Sequence, residues 1–320
     1  MESLLTGLRA AAEPTRLRLL ALCGHAELTV SELTQILGQS QPRVSRHLKL
    51  LCDAGLLDRH REGTWAFYRA ASSGEGAPLA RTLIDSIPSD DATLTRDLGR
   101  LESVKRSRAE AAADYFRVNA GRWNEIRSLH VPEEDVEHAL LGLIEEMEIS
   151  DLLDVGTGTG RILQLLGAKV ERGIGVDLSR EMMSVARSAL EEAGLSNCQI
   201  RLGDMYNLPI DDASMNVVTL HQVLHFADVP ADVLAESARV LEPGGRLIAI
   251  DFAPHALETL REDHAHRRLG FSDDEVAGWY SAAGLELQAP VRLEGDPLTV
   301  VLWPGVRMTP EEQKRQKSAA

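Results

Sequence analysis

Along the first seventy residues the apolar positions recur first with helical and then with strand spacing. Leu17, Leu19, Leu20 and Leu22 follow Glu13-Pro14-Thr15 and predict a helix with proline at its start, where a missing N–H costs nothing. Thr29 or Ser31 is placed to cap a short helix ending at Leu37, with Glu32 in its N-terminal turn. Gly38-Gln39-Ser40 is a turn, and Gln41–Ala54 is a second helix closed by Gly55. Leu56–Arg61 and Thr64–Arg69 alternate as strands about a hairpin at Glu62-Gly63. Helix, short helix, turn, helix and β-ribbon, in that order, describe a winged helix-turn-helix.

A polar loop, Ala71–Pro78, follows. Leu79 to about Arg108 has helical patterning with a break at Pro88 and reads as a dimerisation helix and linker. Ala109–Ile149 is largely helical, with a break near Val131-Pro132. From Ile149 onward strands and helices alternate, which predicts a parallel, doubly wound sheet. Its strands fall at Leu152–Val155, Ile174–Asp177, Gln199–Leu202, Asn216–His221, Arg246–Ile250 and Leu298–Leu302. The fold class is thus an α+β winged helix-turn-helix domain followed by an α/β doubly wound, Rossmann-like domain. The expected organisation is 1–76 for the DNA-reading module, 77–111 for the dimerisation helix and linker, 112–305 for the doubly wound domain, and 306–320 for a polar, frayed tail.

Composition narrows the class. The chain has 320 residues, 44% of them hydrophobic, enough to build packed cores in two domains. No apolar run reaches transmembrane length, and the N-terminus lacks a basic segment followed by an apolar one, so a cytoplasmic protein is expected. The three cysteines, Cys23, Cys52 and Cys198, are scattered and without a CxxC pair, which argues against a zinc cluster or disulfide framework. Net charge is −15, an awkward value for a DNA binder. Its distribution resolves the difficulty. Residues 1–70 carry nine Lys/Arg against seven acids, and the remainder carries 25 against 42. A weakly basic head on an acidic body predicts local contact with nucleic acid.

Within Gln41–Ala54, Val44, Leu48 and Leu51 form an i, i+4, i+7 stripe for burial. Arg46 and Lys49 point away from it, and Ser40, Gln41, Arg43 and Ser45 lie at the exposed N-terminal end or its flanks. A helix that enters the major groove requires this division, apolar behind and hydrogen-bonding in front. Arg61 and Thr64 fall near the tip of the ribbon, in reach of phosphate or the minor groove. Glu13-Pro14-Thr15-Arg16-Leu17-Arg18-Leu19-Leu20 and Ser40-Gln41-Pro42-Arg43-Val44-Ser45-Arg46-His47-Leu48 resemble the ArsR family of bacterial repressors, over roughly residues 5–105. The resemblance implies a homodimer on double-stranded DNA, at an inverted-repeat operator with half-sites about one helical turn apart. Many members of that family sense metals through a Cys-x-Cys pair. The matching stretch here is Glu27-Leu28-Thr29-Val30-Ser31, whose hydroxyls supply no thiolate, so no metal is expected.

The second chemical signal is Asp154-Val155-Gly156-Thr157-Gly158-Thr159-Gly160. Its glycines let the backbone turn tightly and approach a ligand without a Cβ. Asp177 ends the second strand, where a carboxylate can accept hydrogen bonds from ribose hydroxyls. A dinucleotide-binding Rossmann domain competes for this pattern. The spacing, GxGxG rather than GxGxxG, and a third strand ending in Gly203-Asp204-Met205 decide against it. These residues resemble class I S-adenosylmethionine (SAM) methyltransferases of the UbiE-like group over about residues 112–290. His221-Gln222-Val223-Leu224-His225-Phe226 and Leu241-Glu242-Pro243-Gly244-Gly245-Arg246 extend the resemblance. It implies that Asp154 lies near the amino-acid end of SAM and Asp177 holds the ribose. It further implies that Asp204 bonds the adenine amino group beside a backbone contact from Met205, with Leu178 and Met182 flanking the ring. Tyr115-Phe116-Arg117-Val118-Asn119-Ala120-Gly121-Arg122-Trp123 resembles the N-terminal cap of such enzymes, with Tyr115 and Trp123 as contacts; an amphipathic linker helix fits the same residues equally well.

Methyl transfer from a sulfonium needs an aligned nucleophile and a dry cavity more than a base. His221 and His225, just past the fourth strand, can orient or deprotonate a substrate, or can serve packing alone. His264 and His266 at i, i+2 do not share a helix face, which disfavours a metal site there. Nothing in the chain names a methyl acceptor. Two functions follow. One is a regulator whose second domain senses SAM or S-adenosylhomocysteine (SAH), resembling regulators of SAM and SAH homeostasis that act on methionine-cycle genes. The other is an active methyltransferase of a small molecule whose DNA domain controls its own operon.

Overall fold

The computed structural model describes residues 1–62, 64–71, 74–120, 132–145 and 147–309. The chain divides into two compact units, Met1–Ala111 and Ala112–Ala320.

The first unit opens with α1 (Glu2–Ala11) and α2 (Pro14–His25). Pro14 occupies the first turn of α2, and the Glu13 carboxylate accepts from the Arg16 amide at 2.9 Å to cap it. Between β1 (Leu28–Thr29) and the turn at Gly38 lies α3 (Val30–Leu37). Of the two candidate caps for α3, Thr29 is the one used. Its hydroxyl takes the Glu32 amide while the Glu32 carboxylate takes the Thr29 amide at 2.8 Å, a reciprocal capping box. Gly38 sits at φ +64°, the left-handed conformation that ends α3 and that glycine adopts without penalty. The second helix of the pair is α4 (Gln41–Asp53), followed by β2 (Leu57–Glu62) and β3 (Trp65–Ala70). The ribbon pairs antiparallel, His60 opposite Phe67, and β1 adds to its other edge in the order β1-β3-β2. Each ribbon strand lies one residue later than its sequence pattern indicates. Then come α5 (Ala77–Ser86) and α6 (Ala92–Asn119), with the break between them where Pro88 foretells it. α6 does not stop at Arg108. The alanine-rich stretch Ala109–Ala113 has high helix propensity and carries the helix through to Asn119. Leu19, Leu20 and Leu22 of α2, Leu33 and Ile36 of α3, Val44, Leu48 and Leu51 of α4, and Leu101 and Val104 of α6 share one buried cluster.

The second unit contains α7 (Glu133–Ile144), β4 (Ile149–Val155), α8 (Arg161–Leu166), β5 (Val170–Asp177), α9 (Arg180–Glu192), β6 (Cys198–Leu202) and β7 (Met215–His221). It continues with α10 (Pro230–Val240), β8 (Leu241–Phe252), α11 (Thr259–His264), α12 (Asp273–Ala282), β9 (Leu285–Leu287), β10 (Val291–Leu293) and β11 (Val300–Arg307). The eight-stranded sheet runs β10-β11-β8-β7-β4-β5-β6, with β9 on β11. The five strands from β6 to β8 are parallel. A wholly parallel sheet is therefore corrected to a mixed one. β11 lies antiparallel to β8, with Val300 opposite Phe252, and β9 and β10 are antiparallel to β11. Apolar layers cover both faces. Leu153, Val155, Val218, Leu220 and Trp303 belong to one, and Leu152, Ile162, Leu163, Val217 and Ile250 to the other. Alternate residues of each strand thus serve opposite layers, so central strands read as unbroken apolar runs.

Candidate functional site

The surface of α4 follows from its buried stripe. Val44, Leu48 and Leu51 are fully buried against the rest of the first unit. Ser40, Gln41, Arg43, Arg46 and Lys49 are exposed and Ser45 is half-buried. His47, on the flank, turns back toward Glu13, Nδ1 to Oε2 3.7 Å. Arg61 and Thr64 are exposed at the ribbon end. Beside them the indole of Trp65 is 39% exposed and tilted on Phe67 at 5.9 Å between centroids. Trp65 was not foreseen, because a strand pattern does not tell an aromatic at the ribbon tip from one in the core. At the head of α3, where the family resemblance would put thiolates, Thr29 and Glu32 are occupied in the capping box.

In the second unit the loop after β4 is shaped by three glycines at φ +66° (Gly156), +52° (Gly158) and +80° (Gly160). A Cβ on Gly156 would lie 2.4 Å from Val223 Cγ2, so the loop passes hard against the segment after β7. A Cβ on Gly175, a β5 residue that the sequence reading passed over, would meet Thr157 Oγ1 at 2.7 Å. Two amides, of Gly156 and Thr157, donate to the Val176 carbonyl at 2.8 and 3.0 Å and tie the loop to β5.

Asp177 joins loop and strand. Its Oδ2 accepts from the Gly158 amide and its Oδ1 from the Ser179 amide, each at 2.8 Å. Burial pushes the Asp177 carboxyl above the ordinary carboxylate range, against the pull of these amides. Ser179 then caps α9 by accepting from the Met182 amide at 3.2 Å. Leu178 is 62% exposed, and Leu202, paired opposite Asp177, is 48% exposed. Two apolar side chains therefore stand open at the carboxyl ends of β5 and β6. Gly203 lies between strand and turn, its amide on the Asp177 carbonyl at 3.1 Å, and a Cβ there would strike Pro209 at 2.6 Å. Asp204 is exposed and accepts from the Tyr206 amide at 3.0 Å, while Met205 is half-buried against the core. Met182 and Asp154 are buried. Asp154 Oδ1 accepts from the Thr219 hydroxyl at 2.7 Å, which sets this carboxylate under the loop. The structure thus brings Gly156, Gly158, Gly160, Asp177, Leu178, Gly203, Asp204 and Met205 to one edge, where strands β4, β5 and β6 end. Open α/β sheets bind ligands at this edge.

The histidines take other places. His221 ends β7, buried, with Nε2 3.8 Å from Glu133 Oε1 at the start of α7. His225 is 2% exposed, its Nδ1 on Asp251 Oδ1 at 2.8 Å and its ring stacked on His266 at 3.9 Å. These contacts hold a buried turn, and the His225 carbonyl also accepts the amides of Arg267 and Arg268. Tyr115, near the end of α6, bonds His264 Nδ1 through its hydroxyl at 2.8 Å. Burial raises the Tyr115 phenol to about 12, so it stays protonated at neutral pH. The neighbouring Phe116 sets its ring edge-on to Phe226 at 4.8 Å. Trp123 lies outside the described residues. Among the described residues no group of three or more His, Cys, Asp or Glu side chains could hold a metal ion, and no helix is long and apolar enough to cross a membrane.

The folds are those of a winged helix-turn-helix and of a Rossmann-like unit of the class I methyltransferase type. Residues 13–59 match the bacterial regulatory protein, arsR family, and residues 153–249 match the methyltransferase domain family. The first unit thus carries an arsR-type helix-turn-helix segment and the second a methyltransferase-type segment. It is similar to an uncharacterised methyltransferase of Bacillus subtilis, 37% identical over 105 residues, 32% of this chain and 41% of that one. It is likewise similar to an arsenite methyltransferase of Halobacterium salinarum, 37% identical over 103 residues, 31% of this chain and 26% of that one. The chain thus spans less than half the length of these curated relatives. Among solved structures it resembles the protein named as a methyltransferase in a Haloferax volcanii complex with the Trm112 methyltransferase activator. The TM-score is 0.51 at 21% identity, covering 61% of this chain and 98% of that one. A geranyl diphosphate methyltransferase solved with GPP and sinefungin gives a TM-score of 0.50 at 19% identity, covering 55% and 78%. These structural likenesses show the fold.

Proposed function

We propose that the chain is a DNA-binding transcriptional repressor whose methyltransferase-type unit binds SAM or SAH as an effector, acting on genes of the methionine and SAM cycle. The observation that carries the reading is the Asp177 cradle. A carboxylate held at both oxygens by the Gly158 and Ser179 amides stands beside a glycine loop where a Cβ has no room. Open apolar side chains, Leu178 and Leu202, lie next to it. These residues fit a nucleoside with an adenine and a ribose diol. Asp177 would take the ribose, Asp204 and the Met205 backbone the adenine edge, Leu178 its face, and the loop Gly156–Gly160 the amino-acid end. The same chain exposes Arg43, Arg46 and Lys49 on α4, which fits double-stranded DNA. On this reading the protein works as a homodimer on an inverted repeat, with effector binding changing its fit to two half-sites.

An active methyltransferase with an autoregulatory DNA domain would keep the same cradle. The two readings differ in what the bound ligand does: the regulator needs it to change DNA affinity, and the enzyme needs a methyl acceptor beside it. Titration of operator DNA with the full chain, without ligand and with SAM or SAH, tests the proposal. A coupling of about 1–3 kcal/mol, about 5- to 150-fold in DNA affinity, is expected. Unchanged DNA affinity together with turnover of SAM to SAH on an added acceptor would overturn it.

A further inference from the structure

Residues on one face of α6 hold α3 at both of its ends. Asp97, Arg100, Leu101, Val104 and Arg108 recur at helical spacing, and Leu101 and Val104 are buried in the same cluster as Leu33 and Ile36 of α3. Arg100 Nη1 donates to the Ile36 carbonyl at 2.8 Å, in the last turn of α3, where a cation meets the negative end of the helix dipole. Arg108 Nε donates to Glu32 Oε1 at 2.7 Å, in the first turn. Glu32 is thereby shared, with Oε2 closing the Thr29 capping box and Oε1 taking the guanidinium. Asp97, 1% exposed, is gripped by Arg18 of α2 in a bidentate pair at 2.5 and 2.8 Å.

Arg100 and Arg108 lie eight residues apart on α6, about 12 Å, and their contacts Glu32 and Ile36 lie four apart on α3, about 6 Å at about 1.5 Å per residue, a difference the long guanidinium side chains span. The later residue of α6 meets the earlier residue of α3, so the two helices run antiparallel, and a shift of α6 by one turn cannot keep Arg100 on Ile36 and Arg108 on Glu32 together. Leu33 and Ile36 share their core with Val44 and Leu48, so α3 and α4 move as packed neighbours. α6 is also the segment by which the chain passes from the first unit to the second.

We propose that Arg100 and Arg108 are positioning residues for DNA recognition, and that the Arg108–Glu32 pair at the head of α3 is the point through which α6 imposes the effector state on α4. The pair stands at the helix end where the stretch Glu27–Ser31 has no thiolates to offer a metal. The inference rests on the regulator reading above.

The test uses the full chain and the variants Glu32→Gln, Arg108→Gln and their double. Glutamine at 32 keeps an acceptor for the Thr29 amide, so the capping box and α3 survive while the charge is lost. Wild type and variants are compared for SAH affinity by calorimetry and for operator affinity with and without SAM or SAH. Expected is unchanged SAH affinity in all four proteins. The ligand-induced change in DNA affinity should fall to less than about a third of wild type in each single variant, and no further in the double. Arg108→Lys should restore part of the response. If wild type responds and both single variants respond to the same extent, the positioning role is overturned while the regulator reading stands. If wild type itself does not respond, the regulator reading falls and this inference with it. If Arg108→Gln does not fold, Glu32→Gln decides the matter.

Discussion

Asp177→Ala is the substitution from which the most can be calculated. The carboxylate accepts two backbone amides, from Gly158 and Ser179, each at 2.8 Å. Removing it strands both donors at the rim of the sheet, where water recovers most of the loss and about 1 kcal/mol of loop order goes with them. A ribose hydroxyl donating to a carboxylate contributes about 1.5–3 kcal/mol. Together these give about 2.5–4 kcal/mol, or about 60- to 700-fold in affinity at about 1.4 kcal/mol per tenfold. Asp177→Asn should do no better, because one side-chain position becomes an NH2 facing a backbone N–H. Burial also holds this carboxyl above the ordinary range. Its ionisation therefore costs the free fold stability as pH rises through that raised value. A ligand that bonds the ionised form binds more weakly as pH falls back through it. Calorimetry with SAH between neutral and acid pH reads both effects: affinity should decline toward acid in wild type and be low and flat in Asp177→Ala. An affinity that Asp177→Ala leaves unchanged would refute the cradle as a nucleoside site.

Other outcomes are expected in parallel. Arg46→Ala should weaken operator binding and reduce the salt slope by about one, measured as log affinity against log salt. Asp97→Asn breaks a pair whose acid is buried and whose Arg18 side chain is 21% exposed. A fully buried pair would cost about 3–5 kcal/mol, and the exposed guanidinium lowers this to about 2–3 kcal/mol, seen as a first-unit melting transition about 10 °C lower. Gly156→Ala places a Cβ 2.4 Å from Val223 at φ +66°, so it should distort the loop and abolish SAH binding in an otherwise folded chain. Burial pushes the Cys52 thiol up to about 11 and that of Cys23 higher still, so alkylation at neutral pH should be slow until the chain is unfolded.

Much of this protein could be read from local pattern. The order of elements in the first seventy residues, the buried stripe Val44–Leu48–Leu51, the glycine loop and the strand ends at Asp177 and Asp204 follow from periodicity, caps and glycine spacing. Each depends on neighbours a few residues apart, which a sequence displays directly. Ser179 could have been read the same way, as a serine before a helix. Partners distant in sequence could not. Leu298–Leu302 and Arg246–Ile250 read as strands, but only their pairing shows β11 antiparallel to β8, because hydrophobicity carries no direction. Val223 against Gly156 and Gly175 beneath Thr157 arise from chain segments that fold together from afar.

Sequence alone therefore determined which elements form and which side chains offer chemistry, since helix and strand periodicity, capping and turn conformation are local properties. Tertiary structure decided what those side chains do. It set Asp154 under the loop and left Leu178 open, turned His225 onto Asp251, and brought Arg100 and Arg108 to opposite ends of α3. Burial and pairing across long separations are fixed only when the cores close, and they select among roles that the sequence leaves equal.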